Sequence, residues 1–344
     1  MNKKFFMGIA AMAALTLVSC SSDDLDSVSD NSSKNEAISF DGYLGRSAVA
    51  VNGSRGSVVD IKALQESTEG FGVFGKYTST DGQTSDANFF KNQQVTYSTT
   101  ESKWTYSPLK YWPTDGHVDF LAYAPRVDNK QLKGSSIDFT VESDAANQKD
   151  LLWANATSQT KANKTVTFNF KHALAKIGYK VQLNGDYTGT TIKLNKITLA
   201  GSNDGKGTNK AFYKTGTIDL SYTSTTSSTT KLWTPSEEKQ DFEWFSGDEQ
   251  LSKTPAVENP TTKYLFVIPQ NFKTGTDQLY VIVEYTITYS DNTTVKTKVC
   301  KQLEKEFLQG KAYTINLTIG LTPIEFNATV DSWGDIEDYP ITLE

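Results

Sequence analysis

Two histidines and two cysteines are all that 344 residues contain, and the shortage excludes a good deal of chemistry. His117 and His172 stand in separate predicted strands, so neither a His-based triad nor a His-rich zinc site has its partners at hand. No catalytic residue and no metal ligand is assigned, and His172 is read as a packing or hydrogen-bonding residue. Cys20 and Cys300 cannot build a disulfide framework or a Cys-rich metal site. Cys300 follows Val299 in an alternating run, which predicts a buried structural thiol. No glycine-rich loop joins a strand to a helix, so no phosphate cradle and no cofactor is expected. The formal charge of −6 argues against nucleic acid and anionic lipid as partners.

Methionine and arginine are also scarce. Met1, Met7 and Met12 all fall in the first nineteen residues. There, Lys3 and Lys4 precede an apolar run from Phe5 to Val18 that is short for a bilayer span, the pattern of a signal peptide. It ends Leu17-Val18-Ser19-Cys20, which resembles a bacterial lipobox. The expectation is cleavage before Cys20 and acylation of that residue, so that lipid holds the precursor to the outer membrane. Removing residues 1–19 takes away two lysines and no acid, which makes the mature chain two charges more negative. Residues 20–36 are acidic and carry Leu25 and Val28 as their large aliphatics. They bury too little to offset chain entropy and read as a disordered tether. The run Ser22-Asp23-Asp24 resembles an export signal of Bacteroides-type lipoproteins.

Helical periodicity is almost absent beyond a short candidate helix at 61–67. Thr, Ser, Tyr, Phe and Val dominate short alternating runs separated by Gly, Asn, Asp or Ser, the pattern of antiparallel β structure. About seven strands per half predict an all-β chain of two β-sandwich domains in series. They are assigned to residues 37–160 and 161–344, with the joint at 156–164, which lacks large apolar residues. Residues 221–231 and 246–262 read as polar loops. The acidic run from Asp331 to Asp338 reads as a solvated tail.

Residues 37–51, AISFDGYLGRSAVAV, organise this reading. Ile38, Phe40 and Leu44 share one face of a strand that breaks at Gly45-Arg46. An unbroken strand would turn Arg46 to the same buried face, so the chain should leave the sheet at Gly45 and present Arg46 to solvent. Arginine occurs only at 46, 55 and 126, and an isolated one beside glycine suggests a cut site for an Arg-specific protease. An ordinary first strand followed by a loop is the alternative. Residues 323–330, PIEFNATV, repeat the start of this stretch: Ile324 matches Ile38, Phe326 matches Phe40, Ala328 matches Gly42 and Val330 matches Leu44. The C-terminal strand is therefore a candidate donor for the groove that residues 37–46 would leave in another subunit.

Several blocks together resemble the Bacteroides-type fimbrillin family. They are Trp104 with Lys110-Tyr-Trp-Pro113, Val118-Asp-Phe-Leu-Ala-Tyr-Ala-Pro125, Asp150-Leu-Leu-Trp-Ala154 and Phe168-Asn-Phe-Lys-His-Ala-Leu-Ala-Lys-Ile177. Phe266-Val-Ile-Pro-Gln270 and Gly310 to Ile319 complete the series. The resemblance implies a non-enzymatic subunit of a type V pilus with two transthyretin-like, Greek-key antiparallel domains. It also implies a surface-exposed precursor, removal of the N-terminal strand by an Arg-specific surface protease, and assembly with other fimbrial subunits by strand exchange. The bond carried over is Arg46-Ser47, with Arg55 as runner-up; Ser47 departs from the small apolar residue commoner there. The alternative is a surface glycan-binding lipoprotein that does not polymerise, in which the six tryptophans would matter and Arg46 would not.

Overall fold

The computed structural model describes residues 36–44, 60–84, 89–223, 231–254, 256–258, 264–321 and 325–332. The regular structure of the described chain is almost all strand. Its first elements are β1 (Phe40–Leu44), α1 (Ile61–Glu66), β2 (Phe71–Thr78), β3 (Phe90–Ser98) and β4 (Lys103–Thr105). Next come β5 (His117–Ala124), β6 (Ser136–Thr140), β7 (Leu152–Gln159), β8 (Val166–His172), β9 (Ala175–Leu183) and β10 (Thr191–Ala200). They are followed by β11 (Phe212–Tyr213), β12 (Thr215–Asp219), β13 (Trp233–Pro235), β14 (Lys239–Gln240), β15 (Phe242–Gln250) and β16 (Val257–Glu258). The last are β17 (Leu265–Val267), β18 (Gln270–Asn271), β19 (Tyr280–Thr288), β20 (Thr294–Gln302), β21 (Glu306–Phe307), β22 (Lys311–Ile319) and β23 (Glu325–Ser332).

Seven strands form the first sheet in the order β1-β8-β7-β5-β2-β3-β4. Its two ends are drawn together: a Cβ placed on Gly42 of β1 would sit 3.5 Å from the Trp104 ring of β4. Inside lies an aromatic core of Phe40, Phe71, Phe90, Trp104, Phe120, Phe168 and Phe170. Alternation sends the opposite face elsewhere, since successive side chains point to opposite sides. Phe74, Leu121, Tyr123 and Trp153 leave the same strands outward and join the second core. A sheet covered on both faces reads as a continuous apolar run, and β2 does so in FGVFG.

The second core fills the space between β16-β9-β22-β23, with β17 also on β9, and β15-β10-β19-β20. Tyr179 stands edge-on to Trp244 at 4.8 Å between these sheets. A third group, β13-β12-β6, belongs to the same core. β6 precedes the last strands of the first sheet in sequence yet pairs with β12, so the two cores interleave along the chain. Residues 156–164 end β7 and turn back toward β8 within the first sheet, where Asn163 N donates to Thr160 O at 2.8 Å. After β8 the chain returns to the second core at Ala173-Leu174, between β8 and β9.

Three sequence expectations are corrected. The pairs β1–β8 and β9–β22 are parallel; only strands joined by a tight turn are compelled to be antiparallel, and these pairs are distant in sequence. β15 runs through Gln250, where a loop from 246 was expected. Its outer half is exposed and holds to β10 by backbone pairing, so its sequence lacks apolar alternation. Cys300 is exposed rather than buried. It lies on β20, the edge of its sheet, where residues 297 and 299 take the partly covered face and 296, 298 and 300 the open one.

Candidate functional site

β1 occupies a seat that was made from distant parts of the chain. Ile38, Phe40 and Leu44 are 1, 4 and 8% exposed, whereas Ser39, Asp41 and Tyr43 face solvent. The Phe40 ring lies 5.4 Å from Phe90, 5.3 Å from Tyr106, 5.4 Å from Phe120 and 5.7 Å from Phe168. Each such aromatic pair adds about 0.5–1.5 kcal/mol beyond the area it buries. Phe40 is therefore the anchor of the strand.

Backbone bonds hold both margins. β8 runs parallel, with Phe40 opposite Val166 and Leu44 opposite Phe170; Val166 N donates to Ser39 O at 2.9 Å. On the other side Ile38 N donates to Lys110 O at 2.8 Å and Trp112 N to Glu36 O at 3.0 Å. Tyr106 Oη donates to Ile38 O at 2.7 Å, and burial pushes its phenol pKa up, which keeps the proton in place. Gly42 faces inward. A methyl group there would meet Phe170 and Trp104 at 3.5 Å, an ordinary contact, so the seat admits alanine and crowds anything larger.

Beyond Leu44, residues 45–59, with Arg46, Ser47 and Arg55, lie outside the described residues, as do Cys20 and the N-terminal segment. Arg126, the third arginine, is locked in place. Its side chain is 18% exposed and pairs with Asp128 at 2.6 Å. Its Nε donates to Asn92 O at 3.1 Å, and its backbone N to Gly70 O at 3.1 Å.

The C-terminal strand β23 pairs antiparallel with β22 of the same chain. Phe326 stands opposite Leu317, Ala328 opposite Ile315 and Val330 opposite Tyr313. Ile324 and residues from 333 onward lie outside the described residues. β23 ends its sheet, with β22 as its one paired neighbour among the described residues. Residues 38–44 and 325–330 thus occupy different settings despite their shared pattern.

His172 Nδ1 lies 2.7 Å from Asp150 Oδ2, both side chains buried where β8 passes to β9. Ala173 N donates to Leu151 O at 2.8 Å, and Trp233 Nε1 to Ala173 O at 2.7 Å. The pair pins the crossing between the cores. His117 lies far off in sequence at the start of β5, 3.9 Å from Asp119. Five of the six tryptophans are described, and all five are buried, so they offer no open stacking face. No group of three or more His, Cys, Asp or Glu suited to a metal occurs among the described residues.

Sequence reasoning named the strand and missed its seat. Tyr106 and the backbone of Lys110 and Trp112 carry the second margin of β1, and β8 carries the first. The signal was present: Lys110-Tyr-Trp-Pro113 and Phe168–His172 are two of the blocks on which the family resemblance rests.

Known proteins bear on this architecture. The chain is 26% identical to the fimbrium subunit Fim1C of Phocaeicola vulgatus, an alignment spanning 98% of each chain. Among solved structures it resembles a protein assigned to cell adhesion from Bacteroides uniformis, with TM-score 0.50, 17% identity, and 87% of this chain and 100% of that one covered. A second such protein, from Bacteroides ovatus, gives TM-score 0.50 and 15% identity over 88% of this chain and 99% of its own. These two likenesses speak to the fold. Among the described residues no helix is long and apolar enough to cross a membrane. The model of the fimbrillin-like family matches residues 59–333, which takes in α1 and β2 to β23 and leaves β1 outside. With a fimbrium subunit as its full-length relative, the chain falls in a class of structural surface proteins rather than enzymes. The chain belongs to the fimbrillin-like family.

Proposed function

We propose that this chain is a fimbrial subunit made as a lipid-anchored precursor at Cys20, on the outer face of the outer membrane. An Arg-specific protease cuts the connection after β1, at Arg46-Ser47 or else at Arg55, and β1 leaves its seat. The C-terminal strand of another subunit then fills it. The observation that carries this reading is β1 itself: an edge strand anchored by one aromatic side chain, joined to the next element through two of the chain's three arginines. Until the cut, β1 covers a sheet edge that would otherwise pair with another chain.

Gly42 supports the choice of occupant. The C-terminal repeat puts Ala328 at that position, and the seat accepts one methyl group there. Read in the same direction, the donor lies parallel to β8 as β1 does, with Phe326 opposite Val166. Ladder bonds would give affinity and alternate side chains the register.

Purified precursor treated with an Arg-specific protease should give an SDS-resistant ladder and a new N-terminus at Ser47. Arg46→Ala with Arg55→Ala should remain a monomer, with Arg126 uncut because its bonds hold it in the fold. Polymerisation of that double variant, or a ladder without cleavage, sinks the activation step. Register is tested by crosslinking in a Cys300→Ser background, since that thiol is exposed. Val166→Cys with Phe326→Cys should crosslink between chains of a fibre, and Leu317→Cys with Phe326→Cys within the uncut monomer. No intermolecular bond from the first pair rules out this donor.

A further inference from the structure

The second core carries a concave polar site none of whose lining residues belongs to β1 or β23. It is a cleft of about 780 Å³ bordered by β13, β14, β18 and the loop at 274–277. That volume falls in the range of small-molecule sites, about 300–1,000 Å³. A second depression of about 450 Å³ shares Glu237, Lys239, Thr276 and Asp277 with it, so these four residues form the saddle between two lobes.

The polar groups of the cleft are fixed before any ligand arrives. Lys239 Nζ pairs with Asp277 Oδ1 at 2.5 Å, the side chains 20 and 27% exposed. Gln270, 7% exposed, donates through Nε2 to Asp277 Oδ2 and to Ala211 O, each at 2.9 Å. The ammonium also stands 4.7 Å from the centre of the Tyr213 ring. Holding a half-buried ion pair costs desolvation that a hydrophobic pair would avoid, and this one sits in a cleft rather than in packed core. Tyr213 and Tyr222 supply aromatic lining.

The balance of charge selects the ligand. Lys231 and Lys239 oppose Glu237 and Asp277 in the larger lobe, and Lys210 of the smaller lobe is paired with Asp241 at 2.9 Å, so neither an anion nor a cation finds a site of opposite sign. A purely apolar ligand would strip water from the ion pair without replacing its hydrogen bonds. A sugar meets all these conditions. Its ring has apolar C–H faces for tyrosine, and its hydroxyls donate and accept toward a carboxylate, an ammonium and a carboxamide held side by side. We propose that this two-lobed cleft binds a neutral saccharide of two or three units. None of its lining residues lies on β1 or β23, and Trp233, which borders it, is itself buried.

The test is saturation-transfer NMR on the purified mature chain. The probes are lactose, cellobiose and chitobiose as neutral sugars, with sialic acid and glucosamine as charged controls. Each is offered at about 5 mM, above the millimolar Kd of a weak site. Transfer to at least one neutral disaccharide is expected, exceeding that to either charged sugar. Thr276→Trp puts bulk on an exposed position of the saddle; it should keep the melting temperature and weaken binding at least about tenfold. Tyr213→Leu keeps an apolar side chain while removing the ring, and should weaken binding as well. Transfer to none of the neutral sugars, a preference for a charged one, or undiminished binding in a folded Thr276→Trp variant each overturns the assignment.

Discussion

β1 and β23 have the same sequence pattern and opposite circumstances. β1 lies parallel to a strand more than a hundred residues away, with residues 110–112 on its other side and four aromatic rings around Phe40. β23 folds back beside β22, from which it is separated by five residues, at the open end of its sheet. A strand held on two margins leaves slowly. One paired along a single margin needs only that ladder to open. The difference fits the proposed assembly, in which one strand is released by cutting and the other by fraying.

Substitutions can break that comparison, and the largest effect is expected at Phe40. Phe40→Ala should cost the precursor about 3–5 kcal/mol, since it empties a closely packed aromatic site, read as a lower urea midpoint. Phe326→Ala should cost the precursor less while weakening the assembled ladder. Equal losses from the two would erase the distinction between the strands.

A smaller effect belongs to the position where only a methyl fits. Gly42→Leu should destabilise the precursor by about 1–3 kcal/mol through overpacking against Trp104 and Phe170. Ala328→Leu should leave the precursor folded and suppress the ladder, because the same two rings would meet the leucine in the vacated seat. A normal ladder from Ala328→Leu separates β23 from that seat.

Smaller again, Tyr106→Phe removes the hydroxyl bond to Ile38 O and should cost about 1 kcal/mol. Hydrogen exchange should report it as faster exchange at Ile38 than at Leu44. The smallest effect is expected of Gly42→Ala. Its added methyl makes ordinary contacts and its loss of chain entropy favours folding, so stability should rise by at most about 1 kcal/mol. A clear loss would show the seat tighter than the glycine position implies.

Much of the fold was legible in alternation. β10, β19 and β22 show the alternation expected of strands, because each has a buried face that selects apolar side chains about every second residue. β15 and Cys300 were misread for the complementary reason. Both lie on edge strands, where backbone pairing persists after the core has ended and the side chains no longer report it. The polar cleft left no mark in the sequence either. Lys239, Gln270 and Asp277 come from three separate segments, and each alone resembles an ordinary surface residue.

By itself, the sequence determined that this chain is built from strands, that it has no obvious enzymatic machinery, and that Ile38, Phe40 and Leu44 share a face. Side-chain period fixes those facts locally. Tertiary structure decided which strand lies beside which: that β1 pairs with β8 and not with β2, that β6 crosses to β12, and that β9, which follows β8 directly, lies in the other core. Alternation states which way a side chain points and is silent about the neighbouring strand, because a ladder is made by backbone groups that every residue shares.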